Sequence, residues 1–367
     1  LSEEGLLGPQ KLDTSLGDLK LFPPEVLDSL HQIDGVSYGA GITVRQLLSH
    51  RTGMKNFTYD DEGGASSDYQ GTPFAPNSML GVVAFDPDHG LIACLDKVQA
   101  RLPEGTDPIK SILKNGFPDG VDRNSFHFFS SPYRHWDYAA WKQDPNDRFA
   151  GLLNFYLSAM SQKASFAPGD DFKYTDTNYL ILGLLIETVT GNSLHQELRQ
   201  RILDPLEMKH TYMSYAKDPP ADKWKQDLAE LWALNDVPIV GLGINRSMMW
   251  TDAGIVSTVG DLRTFIRALI RGNLFQDKET WKRMTDLPTG EPIGYGLGVG
   301  ISQQGDHKIL FHTGGAASWW TYDSFSDILF IGTMNDATGE GMQRFSRLVG
   351  GFQDVLKTHN IDLKKPF

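Results

Sequence analysis

The sequence predicts an α+β fold: an antiparallel sheet flanked by helices, joined to a mainly helical domain. Three stretches carry that reading. Residues 295–302 (YGLGVGIS) and 308–313 (KILFHT) flank a Gly305-Asp306 turn, and 319–324 (WWTYDS) and 328–334 (ILFIGTM) flank Phe325, Ser326 and Asp327. Consecutive hairpins build an antiparallel sheet, not a doubly wound one. The stretch 166–191, FAPGDDFKYTDTNYLILGLLIETVTG, contains a run at 179–186 with almost no polar break. A helix that is apolar all round is a buried one. In DAGIVSTVGDLRTFIRALIRGN, Leu262, Phe265, Ile266, Leu269 and Ile270 keep the spacing of one helix face, with Ser257 or Thr258 as N-cap, Asp261 in the first turn and Gly272 as the stop.

The remaining elements follow in chain order. Leu1-Ser2-Glu3-Glu4-Gly5 reads as the last turn of a helix with its glycine cap. A short helix is expected over 21–30, with Pro23 and Pro24 near its start. A second begins after Thr43, its N-cap, with Val44, Leu47 and Leu48 on one face and Gly53 at its end. From 57 to about 148 periodicity is lost; Gly, Pro, Asp and aromatics dominate, and two short helices are expected. A segment of this kind is either a roof or wall for an apolar ligand or partner, the aromatics of 126–141 being suited to it, or an insertion packed on itself. Gly191 caps the buried helix, 194–202 reads as amphipathic, and a helix is expected over 341–356. The domain division expected is 1–50 with 250–367 for the sheet domain and 51–249 for the helical one, the latter carrying the insertion at about 57–148.

Composition narrows the function classes. With 367 residues and 40% hydrophobic content the chain can bury a large core. Acidic residues outnumber basic ones, 46 to 34, and no Lys/Arg-rich cluster could line a phosphate backbone, so nucleic acid is not an expected partner. The single cysteine, Cys94, rules out an internal disulfide framework and a cysteine-based zinc site. Histidines are scattered without metal-ligand spacing, so neither a catalytic metal nor another cofactor is expected. The longest apolar run is far below the ~18 residues of a membrane helix, and the chain reads as a soluble protein.

Several serines match catalytic patterns by spacing alone. Gly35-Val36-Ser37-Tyr38-Gly39 fits G-x-S-x-G, but that elbow needs a buried strand before the serine and a long helix after it; Ser37 reads as a turn residue. Ser111-Ile112-Leu113-Lys114 and Ser214-Tyr215-Ala216-Lys217 have serine-lysine spacing. The first sits in a short helix ended by Gly116, away from the free N–H groups a nucleophile uses, and the second runs into Pro219-Pro220. Both read as chance matches. Tyr174 and Asp176 lie where the Pro168-Gly169-Asp170-Asp171 turn meets the buried helix, a rigid mounting for chemistry. Two readings stand for them: a reactive pair, or a packing tyrosine and an Asp N-cap.

In order along the chain, ITVRQLLSHRTGM, FAPGDDFKYTDTNYLILGLLIETVTG, ILDPLEMKHTYM, AGIVSTVGDLRTFI, YGLGVGI and FHTGG resemble the serine β-lactamase and penicillin-binding-protein superfamily, in particular its class C β-lactamase, family VIII esterase and D-aminopeptidase branch. The resemblance implies a β-lactamase/transpeptidase-like fold and covers most of the chain outside the insertion. Tyr174-Thr175-Asp176 looks like the family's Tyr-x-Asn, and His312-Thr313-Gly314 like its Lys-Thr-Gly or His-Thr-Gly. The Ser-x-x-Lys motif has no match, and by the resemblance it falls upstream of LSEEGLL. The expectation is therefore an N-terminal segment removed or not in view, or a separate fragment that completes the fold, rather than a chain without a nucleophile.

By resemblance, the reaction is acyl transfer through a serine ester on a small-molecule ester, amide or peptide. Tyr174 would exchange the proton, its phenolate favoured by the upstream lysine, while the backbone N–H of Gly315 would help hold the oxyanion. Gly314 and Gly315 would let substrate approach the strand edge. Asp176 lacks the amide donor of the family's Asn and could instead accept from an ammonium. His312 titrates near neutral pH where a lysine would stay charged, which favours an esterase or aminopeptidase over a carboxypeptidase. His50 reads as structural, tying a helix end. The rival is a catalytically inactive binding domain of the same fold.

Overall fold

The computed structural model describes residues 1–58, 87–127, 138–145, 151–159, 164–214, 228–233, 237–243, 249–287, 293–304, 307–315, 317–336, 343–344, 347–348 and 351. Of the expected helix over 341–356 only 343–344, 347–348 and 351 are described, all of them helical, and most of the aromatic stretch at 126–141 lies outside the described residues. The chain divides into two units: Leu1–Glu197 with Met213–Lys217 and Gly241–Gly254, and Leu198–Tyr212 with Asp218–Val240 and Ile255–Phe367.

The first unit is helical. Its opening residues form the helix end that the sequence predicts: Leu6 N–H donates to the Leu1 carbonyl (3.1 Å), Gly5 N–H to that of Ser2 (3.2 Å), and Gly5 takes φ +75°. Those paired bonds are the Schellman geometry. Helix α1 (Pro24–Leu30) starts with proline at its first position, where the missing N–H costs nothing. Helix α2 (Val44–Leu48) has a full capping box, in which Thr43 Oγ1 accepts from Gln46 N–H while Gln46 Oε1 accepts from Thr43 N–H. The insertion contributes α3 (Leu91–Gln99) and α4 (Pro108–Asn115) and, beyond the two short helices expected, a third over Tyr138–Gln143.

Helix α5 (Leu152–Ala159) buries Leu152, Leu153, Phe155 and Tyr156 completely, and the Tyr156 hydroxyl donates to the Leu30 carbonyl (3.0 Å). The run read as a buried helix is α6 (Thr177–Thr190), with Leu180, Ile181, Leu182 and Leu185 in the core and Gly191 as its left-handed cap. Helices α2 and α5 both pack on α6. Each fully buried Leu or Ile contributes about 1.5–3 kcal/mol, so α6 is an anchored element for whatever is mounted at its N-terminus.

The second unit holds helices α7 (Val259–Ile270) and α8 (Glu279–Met284) and a five-stranded antiparallel meander. Its strands are β1 (Ile293–Tyr295), β2 (Gly300–Gln304), β3 (His307–Gly314), β4 (Ser318–Asp323) and β5 (Ile328–Thr333), in spatial order β5-β4-β3-β2-β1. Ile301, Leu310, Tyr322 and Leu329 are successive cross-strand partners, and this row joins Ile270 of α7 and Trp281 of α8 in one apolar cluster. The hairpins stand where the alternation places them, with one correction. The expected strand 295–302 is two strands, because Gly296 N–H turns back to the Val299 carbonyl (2.8 Å) and Gly298 takes φ +85°. No helix among the described residues is long and apolar enough to cross a membrane.

Candidate active site

Tyr174-Thr175-Asp176 is built from both sides by residues of the 50–58 segment. Thr175 has no exposed surface. Its N–H donates to His50 Nδ1 (3.2 Å) and its hydroxyl to the Lys55 carbonyl (3.0 Å), which also accepts from Thr177 Oγ1 (2.7 Å). Phe57 N–H closes the set by donating to Thr177 Oγ1 (3.1 Å). With Thr175 fixed inward, Tyr174 and Asp176 flank it as half-buried side chains.

His50 is the platform for this strip. It follows α2 in the left-handed conformation (φ +54°) and is fully buried. Asn178 Oδ1 accepts from Thr52 Oγ1 (2.7 Å), which turns the Asn178 amide nitrogen toward His50 Nδ1 (3.3 Å). Because a backbone N–H and this amide both point at Nδ1, that nitrogen is the acceptor and the proton of the neutral ring sits on Nε2. The ring lies against Tyr174 (centroids 4.1 Å, 34°) and Tyr179 (5.3 Å, 33°). The backbone is zipped alongside: Lys173 N–H donates to the His50 carbonyl (2.9 Å) and Ser165 N–H to that of Gly53 (2.7 Å). Gly53 takes φ +77°, and a Cβ there would stand 2.1 Å from the Phe166 carbonyl oxygen. Only glycine fits this crossing.

Asp176 occupies the N-cap position of α6 without capping it. Its Oδ2 instead accepts from Thr58 Oγ1 (2.6 Å) and Asn56 Nδ2 (3.1 Å). The N-cap reading of its side chain is therefore corrected: two buried donors outcompete the helix amides. A second carboxyl, Asp252, stands near it, on a segment packed against α6 so closely that a Cβ on Gly183 would meet Thr251 Cγ2 at 2.1 Å. Asp252 Oδ1 is closed off from solvent and has no hydrogen-bond partner. Burial, and then the charge of Asp176, push the Asp252 carboxyl up to about 8. Nothing in TDAGIVST marks this residue as buried or paired, and the sequence reading passed over it.

The other motif lies in the second unit. His312 is the third-last paired position of β3, before Thr313 and Gly314, opposite Trp320. Its Nδ1 lies 2.9 Å from the carbonyl oxygen of Thr313, which can only accept, so Nδ1 carries the proton. In the neutral ring Nε2 then accepts from the Tyr295 hydroxyl at 2.8 Å. Tyr295, read only as the start of a strand, is thus the orienting partner of His312. Thr313 and Gly315 are exposed. The two glycines differ: a Cβ on Gly314 would collide with Ser318 Oγ (2.4 Å), whereas no described atom lies within 4 Å of one on Gly315. At Gly314 a Cβ would oblige the Ser318 hydroxyl to turn away, and Gly315 leaves the strand end open.

The serines of chance spacing fall where the sequence argument puts them. Ser37 is exposed on a two-residue hairpin, Gln32–Ile33 against Val36–Ser37, turned by Asp34 and Gly35, both at positive φ. Ser111 lies inside α4. Lys217 lies outside the described residues. No group of three or more His, Cys, Asp or Glu side chains that could hold a metal occurs among the described residues.

The family profile described as Beta-lactamase matches residues 130–348, more than half of the chain. The chain belongs to the β-lactamase family. Among curated members of similar sequence, protein flp of Staphylococcus aureus (strain MW2) is 26% identical over 177 residues, 47% of this chain and 33% of that protein. A D-aminopeptidase of Brucella anthropi is 28% identical over 157 residues, 42% of this chain and 29% of that protein. A putative D-alanyl-D-alanine carboxypeptidase of Escherichia coli (strain K12) is 22% identical, with 66% of this chain and 58% of that protein covered. The chain thus spans about a third of the length of the first two relatives. Two solved structures superpose broadly: the D-amino acid amidase from Ochrobactrum anthropi SV3 (TM-score 0.53, 17% identity, 96% of this chain and 88% of that one) and EstCE1, a hydrolase with promiscuous acyltransferase activity (TM-score 0.54, 18% identity, 92% and 76%). At these identities the likeness is one of fold.

Proposed function

We propose that this chain forms part of a serine hydrolase working through an acyl-enzyme, with Tyr174 as its proton-transfer group and an ester or amide as its substrate. The observation that carries the reading is the fixing of Tyr174 on the buried His50 ring, with Thr175 tied at both its amide and its hydroxyl. Such immobilisation is what a proton-transfer group needs, since misplacement by an ångström costs rate steeply. The nucleophile would be the serine of a Ser-x-x-Lys segment upstream of these residues, or on a separate fragment that completes the fold. Tyr174 Oη, as phenolate, takes the serine proton while Oγ bonds to the acyl carbon; it then returns that proton to the departing alcohol or amine. Water repeats the exchange to release the acid. The Gly315 N–H, at the open strand end, would contribute to the oxyanion site.

His312 and Asp176 bear on substrate class. Both ring nitrogens of His312 are engaged within its own unit, by Tyr295 and by the Thr313 carbonyl, which makes it a poor anchor for a substrate carboxylate. Asp176, beside Asp252 and held by Thr58 and Asn56, suits a cation. Thr313 and Gly314 would line the substrate's path. Esters and aminoacyl amides are therefore preferred over peptides with a free C-terminal carboxylate. The test is hydrolysis by the full-length protein of a short-chain p-nitrophenyl ester, a D-aminoacyl amide and a peptide ending in a free carboxylate. Turnover of either of the first two above the third supports the proposal; no turnover of any leaves the inactive binding domain as the better account.

A further inference from the structure

Helix α7 carries Arg263 and Arg267, and its C-cap residue Arg271 continues the four-residue spacing, which aligns the three along one face. Together they line a cleft of about 620 Å³ within the second unit, with Leu206 and Ala268 as apolar lining and Asp327 as the one carboxylate among the lining residues. Asp327 is committed to the middle arginine: Arg267 Nη1 bonds its Oδ1 and Nη2 its carbonyl oxygen (2.9 Å), while the guanidinium lies over the Tyr322 ring at 5.6 Å. Arg263 and Arg271 are exposed and close no ion pair among the described residues, although the Arg271 charge also reaches the Asp327 carboxylate and helps hold it below its ordinary range. Helix electrostatics account for Arg271, at the C-terminal end, but give no reason for Arg263, which lies beyond the first turn where the dipole acts. Three guanidinium groups thus face a single carboxylate around a concave surface, in a chain whose net charge is −12.

We propose that this cleft binds a compact polyanion bearing two oxyanion groups, carboxylate or phosphate, one received by Arg263 and one by Arg271. The volume lies in the range of small-molecule sites and is too small for a folded partner. The planar fork of arginine matches both kinds of oxyanion bidentately. Arg267, already neutralised, serves as the fixed floor between them, and the two α-carbons of the receiving arginines stand ~12 Å apart along the helix axis. This reading is independent of the acyl-transfer site and is tested by binding, not turnover.

The experiment is isothermal titration calorimetry of the full-length protein at low ionic strength with pyrophosphate and, separately, citrate. The protein is compared with R263Q/R271Q and with a control pair, K110Q/K114Q, that removes the same charge from an exposed helix elsewhere. Gln keeps the helix propensity of Arg, and circular dichroism verifies that both variants are folded. The expected result is one-site binding of at least one anion, weakened about tenfold or more in R263Q/R271Q and unchanged in the control; whichever anion binds identifies the oxyanion. Absence of binding by both anions, or equal weakening in the two double variants, overturns the proposal.

Discussion

The two three-residue motifs are held in opposite ways. Thr175, at the centre of Tyr174-Thr175-Asp176, is fully buried and tied to His50 and Lys55, which stand 125 and 120 residues earlier. Thr313, at the centre of His312-Thr313-Gly314, is exposed, and its strand is placed by the backbone ladder to β4. One motif depends on particular side chains far away in sequence; the other depends on register. Substitution of the central threonine should therefore damage the first motif through its supports and the second hardly at all.

The largest difference is expected at the chemistry itself. Tyr174→Phe should lower ester or amide turnover by ~10²–10⁴-fold while leaving the denaturation midpoint close to that of the wild type, since the ring that lies against His50 is kept. Next is a pH slope. Asp252 has a folded value near 8 against an ordinary 3.8, so the folded protein holds a proton that the unfolded chain has lost across that window. Stability then falls as pH rises from about 4 to about 8 and levels off above it. Asp252→Asn should flatten the fall, with its greatest gain over the wild type above pH 8, as read from urea midpoints across the range. A slope left unchanged would detach Asp252 from the site.

Gly53→Ala puts a Cβ into the Phe166 carbonyl at a positive φ and should cost roughly 2–4 kcal/mol in urea unfolding. The smallest effects sharpen the comparison most. Thr175→Val should cost about 1–3 kcal/mol by leaving the His50 to Lys55 support incomplete, whereas Thr313→Val should stay within about 0.5 kcal/mol. Equal costs for the two would mean that the motifs are not held differently.

The same contrast explains what was legible in the sequence. Helix α6 follows from an apolar run, the hairpins β2–β3 and β4–β5 from alternation and turns, and the α7 N-cap from Thr258 and Asp261, all local signals. Gly296 and Gly298 broke an expected strand because turns inside glycine-rich runs depend on what packs behind them; a Cβ on Gly296 would strike the Met284 carbonyl. The partners of Asp176, namely Asn56 and Thr58, lie 120 and 118 residues away, and no spacing rule reaches that far. For this reason its N-cap geometry was legible and its side-chain bonding was not. Asp252 and Tyr295 were missed on the same ground, each acquiring its role only through a neighbour brought up by the fold. His50 was placed correctly at a helix end, but its stacking on Tyr174 is a tertiary fact.

The central claim is that Tyr174 is the proton-transfer group of an acyl-enzyme site. The most direct measurement is the rate at which a fluorophosphonate labels the full-length protein, followed by intact mass and compared between wild type and Tyr174→Phe. The account predicts a single label on the serine of a Ser-x-x-Lys, formed at least ~10²-fold more slowly in the variant. Labelling at the same rate in both proteins, or no label in either, would contradict it.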